Sequence, residues 1–327
     1  MPQAKRKLLG GRALNRLKGP ASLFLAFFLA GTSVVAARFV AGKLGTFTIT
    51  AVSLCLALAV LVPACGKRLF AALRGMNAAD WMRLFLQAFF GIFLFRLFLL
   101  TGLNHTSSVE AGILTGATPA ITAILATAIL KEAPDRRKVS GILLTVSGVL
   151  LIQGVLRAGA GFAPDHLLGN ALVLCAAASE SAFNILSRIS AAQEKREPVH
   201  PLVQTALVSA IALALSIVPA LRESPVHRLA AIGAREWLAL AWYGVFVTAL
   251  AFVFWYAGIR RSSAFTAAAF SGMMPFSSLI LSVLVLGEQA DMRQWLGGLL
   301  VVLGMFLIGS GGRRKRAELK QKAEKCA

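Results

Sequence analysis

The sequence predicts an all-α polytopic membrane protein with ten transmembrane helices in two inverted five-helix repeats, and three observations predict it. The 327 residues are 57% hydrophobic and only 15% charged, with a mean hydropathy of +0.73, far more apolar than a soluble domain needs to fill its core. The stretch from Trp81 to Gly154 recurs without a gap over residues 237–310. Lysine and arginine alternate in density from one interhelical link to the next, the pattern that orients helices during insertion.

A spanning helix needs roughly 20 apolar residues. Segments of about that length lie near residues 21–41, 47–65, 81–103, 107–130 and 138–156, and again near 167–190, 200–221, 236–259, 262–286 and 294–310. The first follows a basic tail, residues 1–20, and its small residues Ala36 and Ala37 imitate a signal-peptide cleavage site. It is longer than the roughly 7–15 residues of a signal h-region, so an uncleaved anchor is predicted. The first repeat then covers 21–156, a linker 157–166, the second repeat 167–310, and a second basic tail 311–327. Five crossings separate any residue from its equivalent, so the second copy runs upside down.

The charges support that inversion independently. Between the third and fourth helices the first copy has Asn104 and His105 where the second has Arg260 and Arg261; after the fourth, Lys131, Arg136, Arg137 and Lys138 face Gly287, Met292, Arg293 and Gln294. With both termini cytoplasmic, the outer links hold only Lys43, Arg157, Arg222, Arg228, Arg235 and Arg293 of the 34 Lys/Arg. A net charge of +20 therefore serves the bilayer and the orientation of the chain in it, with no nucleic-acid partner expected. Cys55, Cys65, Cys175 and Cys326 form no C-x-x-C pair, which leaves neither a disulfide framework nor a zinc site.

Across the repeat Trp81 falls on Trp237, Gly102 on Gly258, Gly116 on Gly272, Pro119 on Pro275, Glu132 on Glu288, Gly141 on Gly297 and Gly148 on Gly304. The first two helices of each half match less well: Pro63 overlays Pro219, but Arg38 meets Arg188 only after a small length change. The fourth helices read PAITAILATAILKE (Pro119 to Glu132) and PFSSLILSVLVLGE (Pro275 to Glu288), each followed by a glycine-bearing fifth helix. In these features the chain resembles the ten-helix EamA branch of the drug/metabolite transporter superfamily, over nearly its whole length between the tails. The resemblance implies a central cavity between the halves, alternately open to either side and usually driven by a gradient. It is nearly silent on substrate, because the family handles amino acids, nucleobase-like metabolites, vitamins and drugs.

Small-xxx-small spacing at Gly112 and Gly116 lets another helix approach closely, and the paired glycines of the fifth helices are read the same way. Pro119 and Pro275 remove a backbone hydrogen bond, which bends a helix or frees a carbonyl. Ionisable side chains within the membrane carry more information, since each costs at least roughly 2.5–3.5 kcal/mol at the bilayer centre. They are Arg38, Arg96, Glu110 and Glu180. Arg38, near a helix end, can snorkel. Arg96 and Glu110 flank one turn at similar depth, and either neutralise each other or face substrate together; Phe252 and Thr266 replace them in the second copy. Glu180 falls near a midplane, with Asn184 and Ser187 on its face. It is read as a proton- or cation-responsive group, against the alternative of a protonated carboxyl bonded between helices.

Thr115, Thr118 and Thr122 share one helix face and Ser271, Ser278 and Ser282 another, with Thr115/Ser271 and Thr122/Ser278 equivalent. They would flank a hydrated cavity, unless they only bond the preceding turn. Trp242, Tyr243, Trp255 and Tyr256 are read as interfacial anchors, with cavity lining the alternative for the last two. The sequence has no phosphate loop, nucleophile elbow or H-E-x-x-H, and the four histidines form no metal cluster, so no cofactor is expected. The residues predict a carrier in the cytoplasmic membrane for a small polar or amphipathic metabolite, amino-acid-like, nucleobase-like or drug-like, working by alternating access with proton coupling or exchange. A non-transporting sensor or scaffold and a membrane-embedded lipid-modifying enzyme are the alternatives. Oligomeric state is left open.

Overall fold

The apolar runs fold as helices joined by short links, in a computed structural model that describes residues 2–40, 42–103, 105–106, 114–115, 117–132, 135–152, 164–192, 199–287 and 289–325. Glu110, Gly112, Gly116 and Glu288 lie outside the described residues, as does the side chain of Arg38. The first half contains α1 (Pro2–Val40), α2 (Thr46–Cys65), α3 (Lys67–Gly75), α4 (Ala78–Ala88), a π-helical stretch (Phe89–Leu94), α5 (Phe95–Leu103), α6 (Thr118–Leu130) and α7 (Arg136–Ile152). In the second half lie α8 (Leu167–Ala191), α9 (Pro201–Leu221), α10 (Pro225–Ala230), α11 (Ala234–Trp242), a second π-helical stretch (Tyr243–Leu250), α12 (Ala251–Ile259), α13 (Ala264–Ser271), α14 (Met273–Leu286) and α15 (Met292–Lys325). Among the described residues six helices are long and apolar enough to cross a membrane: Thr46–Cys65, Ala78–Leu99, Leu167–Ala191, Pro201–Leu221, Ala234–Ile259 and Ala264–Val285. Two shorter apolar ones, Thr118–Leu130 and Met292–Ile308, accompany them.

Local chemistry sets the helix ends. Asn77 and Asp80 open α4 with a reciprocal capping box, at 2.9 and 3.1 Å, and the Ser263 hydroxyl accepts from the Thr266 amide at the start of α13. No side chain of its own caps α2. Glu223, from beyond the end of α9, accepts instead from the Phe47 and Thr48 amides at 3.1 and 2.7 Å, which satisfies orphan donors and places an anion at the positive helix end.

The prolines sit differently from a mid-helix kink. The second copy's fourth helix is interrupted at Gly272, so Pro275 occupies the first turn of α14, and Pro119 occupies the first turn of α6. There a proline's missing N–H leaves no hydrogen bond unmade. Gly31 of α1 lies against Ser277 and the Met274 carbonyl of that same first turn, a close approach that only a residue without Cβ permits.

The fourth helix of each copy ends on a left-handed residue, Lys131 (φ 52°) in one and Gly287 (φ 69°) in the other. Glycine adopts that conformation without steric cost, whereas lysine pays for its Cβ. Lys131→Gly is therefore expected to raise the melting temperature of the purified protein, by the equivalent of about 1 kcal/mol; an unchanged or lower value contradicts the strain.

The helices assemble as pairs: α2 on α9, α1 on α12 and α14, α8 on α5 and α6, and α7 on α15. The last pair crosses antiparallel, with Gly141 against Gly304 and Gly148 against Gly297. The main core is built around Leu23, Leu54, Phe183, Trp255 and Ile259 from both copies.

Candidate functional site

A cavity of about 160 Å³ lies where α1, α8 and the two helices that contain the π-helical stretches converge. Its walls come largely from equivalent positions of the two copies: Gly91, Ile92, Phe95 and Arg96 on one side, Val247, Thr248, Ala251 and Phe252 on the other. Both π-helical stretches contribute, and they occupy the same place in the repeat. A π turn widens the helix and re-aims its side chains, and such turns concentrate at functional sites. In the second one Thr248 Oγ1 donates to the Tyr243 carbonyl at 2.9 Å, filling the widened turn. Apolar periodicity alone did not reveal these stretches, because Gly91, Ile92, Phe95 and Arg96 also fit an ordinary helical face.

The charged residues lining this cavity are Arg96 and Glu180, one from each copy. Arg96 donates to Thr50 Oγ1 at 2.5 Å and to Tyr243 Oη at 3.4 Å, and its guanidinium lies 5.2 Å from the Tyr243 ring centre. Glu180 accepts one long hydrogen bond, from Thr118 Oγ1 at 3.4 Å. Asn184 shares the lining and donates to Thr122 Oγ1 at 3.4 Å. Trp255 adds a buried indole N–H that has no hydrogen-bond partner among the described residues.

Aromatic rings close the rest. Phe183 stacks on Trp255 at 5.7 Å and packs against Phe252 and Tyr256 at 5.9 and 6.3 Å, while Phe27 meets Trp255 edge-on at 5.5 Å. The anchor reading of Tyr243 gives way to a place in the cavity wall, and for Trp255 and Tyr256 the lining alternative fits better: Tyr243 and Trp255 line the cavity, and Tyr256 is 1% exposed, packed against Phe183 and Phe252. Trp242, half-way to the surface, donates to Thr32.

Among the expected site residues, Arg96, Glu180 and Asn184 come together at the cavity. Thr122 is fully buried and joins α6 to α8 by donating to Ser181 Oγ at 3.1 Å. The Ser271 hydroxyl donates to the Ala268 carbonyl of its own turn. Thr115 and Ser278 are half-buried and lie outside the described lining. Glu132 pairs with Arg188 at 3.3 Å and accepts from the Ala264 amide at 3.5 Å, so this motif carboxylate ties the end of α8 to the start of α13. Among the described residues no group of three or more His, Cys, Asp or Glu could hold a metal ion.

The EamA-like transporter family model matches residues 17–154 and 167–310. The Bacillus subtilis (strain 168) protein named "Uncharacterized transporter YetK" is 29% identical over 305 residues, 92% of this chain and 90% of its own. The "Aromatic amino acid exporter YddG" of Ancylobacter novellus is 24% identical over 60% of this chain and 63% of its own. A solved crystal structure superposes with a TM-score of 0.72 at 23% identity, covering 92% of this chain and 98% of that one; at that identity the likeness concerns the fold alone. With the family domain present twice and apolar helices long enough to span a bilayer, the chain belongs to the EamA-like transporter family of the drug/metabolite transporter superfamily and is a multi-pass membrane transporter.

Proposed function

We propose that the chain is a ten-helix carrier of the cell's inner membrane, with both termini cytoplasmic and the halves 21–156 and 167–310 inverted with respect to each other. Its cargo is a small zwitterionic, amino-acid-like metabolite with an apolar or aromatic side chain, moved by alternating access with proton coupling or exchange. One observation carries the substrate class: Arg96 and Glu180 line a single small cavity whose remaining wall is aromatic and aliphatic. A cation, a carboxylate and an apolar surface complement a carboxylate, an ammonium and an apolar side chain. The unpartnered Trp255 indole supplies a further donor for a carboxylate oxygen.

The relative named as an aromatic amino acid exporter is consistent with this cargo. The inverted arrangement draws support from the antiparallel glycine crossing, where each equivalent position meets the other's counterpart. Helices with a π-helical stretch in corresponding places of both copies line this cavity, and such stretches often mark functional sites. Purified protein in liposomes preloaded with unlabelled phenylalanine should take up labelled phenylalanine by counterflow, and labelled glucose should not enter. Ligand-induced thermal stabilisation without flux would favour a sensor instead, and turnover of a lipid headgroup would favour an enzyme.

A further inference from the structure

A second cavity, of about 720 Å³, opens where α3, the start of α4, the end of α8, the start of α9 and the end of α12 meet. Its lining carries Arg68, Arg83, Arg260 and His200 against a single carboxylate, Asp80. That carboxylate is already engaged, capping its own helix through Asn77 and pairing with Arg83 at 3.1 Å. Arg68 and Arg260 are left as two positive charges, with no carboxylate of the described residues within ion-pair distance.

Arg260 is held in place from behind. It donates to the Val199 carbonyl and, at 2.8 Å, to Gln204 Oε1. Gln204 donates in turn to Gln87 Oε1 at 3.0 Å, and Gln87 to Ser190 Oγ at 2.9 Å. Gln87 is fully buried, so the chain of bonds fixes the guanidinium on a rigid base spanning α4, α8 and α9. Burial and the neighbouring Arg261 push the Arg260 pKa down from its ordinary value. Burial, followed by the charges of Arg68 and Arg260, does the same to His200.

We propose that this cavity is a binding site for a dianionic phosphate group, held by Arg260 from its fixed base and by Arg68 from the rim. Arginine presents a planar donor fork that matches phosphate oxygens, and the two arginines of the described lining without a carboxylate partner suit a dianion. The site is separate from the central cavity and does not depend on what that cavity carries. Gln87 at its floor and Gly91 of the central cavity stand one turn apart on the same helix, with the Phe183 ring packed over Gly91. The phosphate is a monoester, either of a soluble metabolite or of a lipid that ends in one, such as phosphatidic acid.

The test is calorimetric titration of the purified full chain with inorganic phosphate at pH 7.5 and constant ionic strength, in nanodiscs of phosphatidylcholine. Saturable binding is expected, weakened about tenfold or more in Arg260→Gln, the loss of one charge-assisted contact. Arg68→Gln, on an exposed side chain, should weaken it several-fold, and decides the matter if Arg260→Gln does not fold. Arg96→Ala, in the central cavity, should leave it unchanged. Lack of saturable binding, or binding that persists in Arg68→Gln and in any folded Arg260→Gln, overturns the site. Repeating the titration in nanodiscs containing phosphatidic acid, a lipid whose phosphate is a monoester able to carry two charges, assigns the source: competition by the lipid identifies a headgroup site, and unchanged affinity a site for a soluble phosphate. No transport step enters the measurement, so its failure leaves the proposed carrier activity standing.

Discussion

Gly148→Leu is expected to abolish recovery of folded, monodisperse protein, and Gly148→Ala to lower its melting temperature although alanine is the better helix former. A Cβ built at Gly148 would lie 2.5 Å from the Gly297 carbonyl oxygen and 2.8 Å from the Val301 amide nitrogen. Both are backbone atoms and cannot rotate aside. The converse contact is equally tight, 2.6 Å from a Cβ at Gly297 to the Gly148 carbonyl, and a Cβ at Gly304 would lie 2.6 Å from the Gly141 carbonyl. Any side chain therefore has to push α7 and α15 apart along their whole crossing. Propensity favours alanine over glycine by about 1 kcal/mol, whereas overpacking costs about 1–3 kcal/mol for small additions, so packing decides the sign. Gly75→Ala is the control: nothing lies within 4 Å of its Cβ position, and no loss of stability is expected. Melting temperatures followed by the elution profile of solubilised protein measure all three, and a Gly148→Ala protein more stable than the parent would refute the crossing.

Those four glycines were legible in the sequence because the duplication repeats them and because close helix approach in a membrane has one chemical solution. The apolar spans were legible for a similar reason, since hydropathy reports the bilayer more directly than it reports any partner helix. Arg96 and Glu180 stood out as costly charges within apolar runs, and they line the same cavity. The π-helical stretches were not legible, because a widened turn depends on what packs against it rather than on residue type. Nor was the interruption at Gly272, where the apolar run continues unbroken through the break. Thr122 illustrates a further limit: a hydroxyl stripe has the same sequence pattern whether it faces water or, as with Ser181 and Asn184, the next helix. The aromatic wall was legible only as an alternative, for Trp255 and Tyr256 and not for Tyr243, since an aromatic residue within an apolar run has the same sequence pattern at an interface as beside a cavity. The Gln87–Gln204–Arg260 chain joins residues far apart in sequence, and only the fold brings them together.

Glu180→Gln is expected to abolish accumulation of substrate driven by a proton gradient, while counterflow exchange in the absence of a gradient persists but needs more substrate, because the ammonium loses its carboxylate partner. Glutamine keeps the shape of the side chain and an oxygen to accept from Thr118, so the helix contact survives. In the proposed mechanism it loses both the negative charge that meets the substrate ammonium and the capacity to take up and release a proton. Arg96→Ala should behave differently, weakening both modes by about 10- to 100-fold, because it removes a charge-assisted contact to the substrate itself, worth about 1.5–3 kcal/mol. Arg96→Lys retains the charge but neither the planar fork nor the stacking on Tyr243, so its activity should fall between alanine and the parent. The contrast separates coupling from binding on two side chains that line one cavity. Full gradient-driven accumulation by Glu180→Gln would remove the carboxylate from the coupling step, and undiminished counterflow by Arg96→Ala would remove the guanidinium from the binding site.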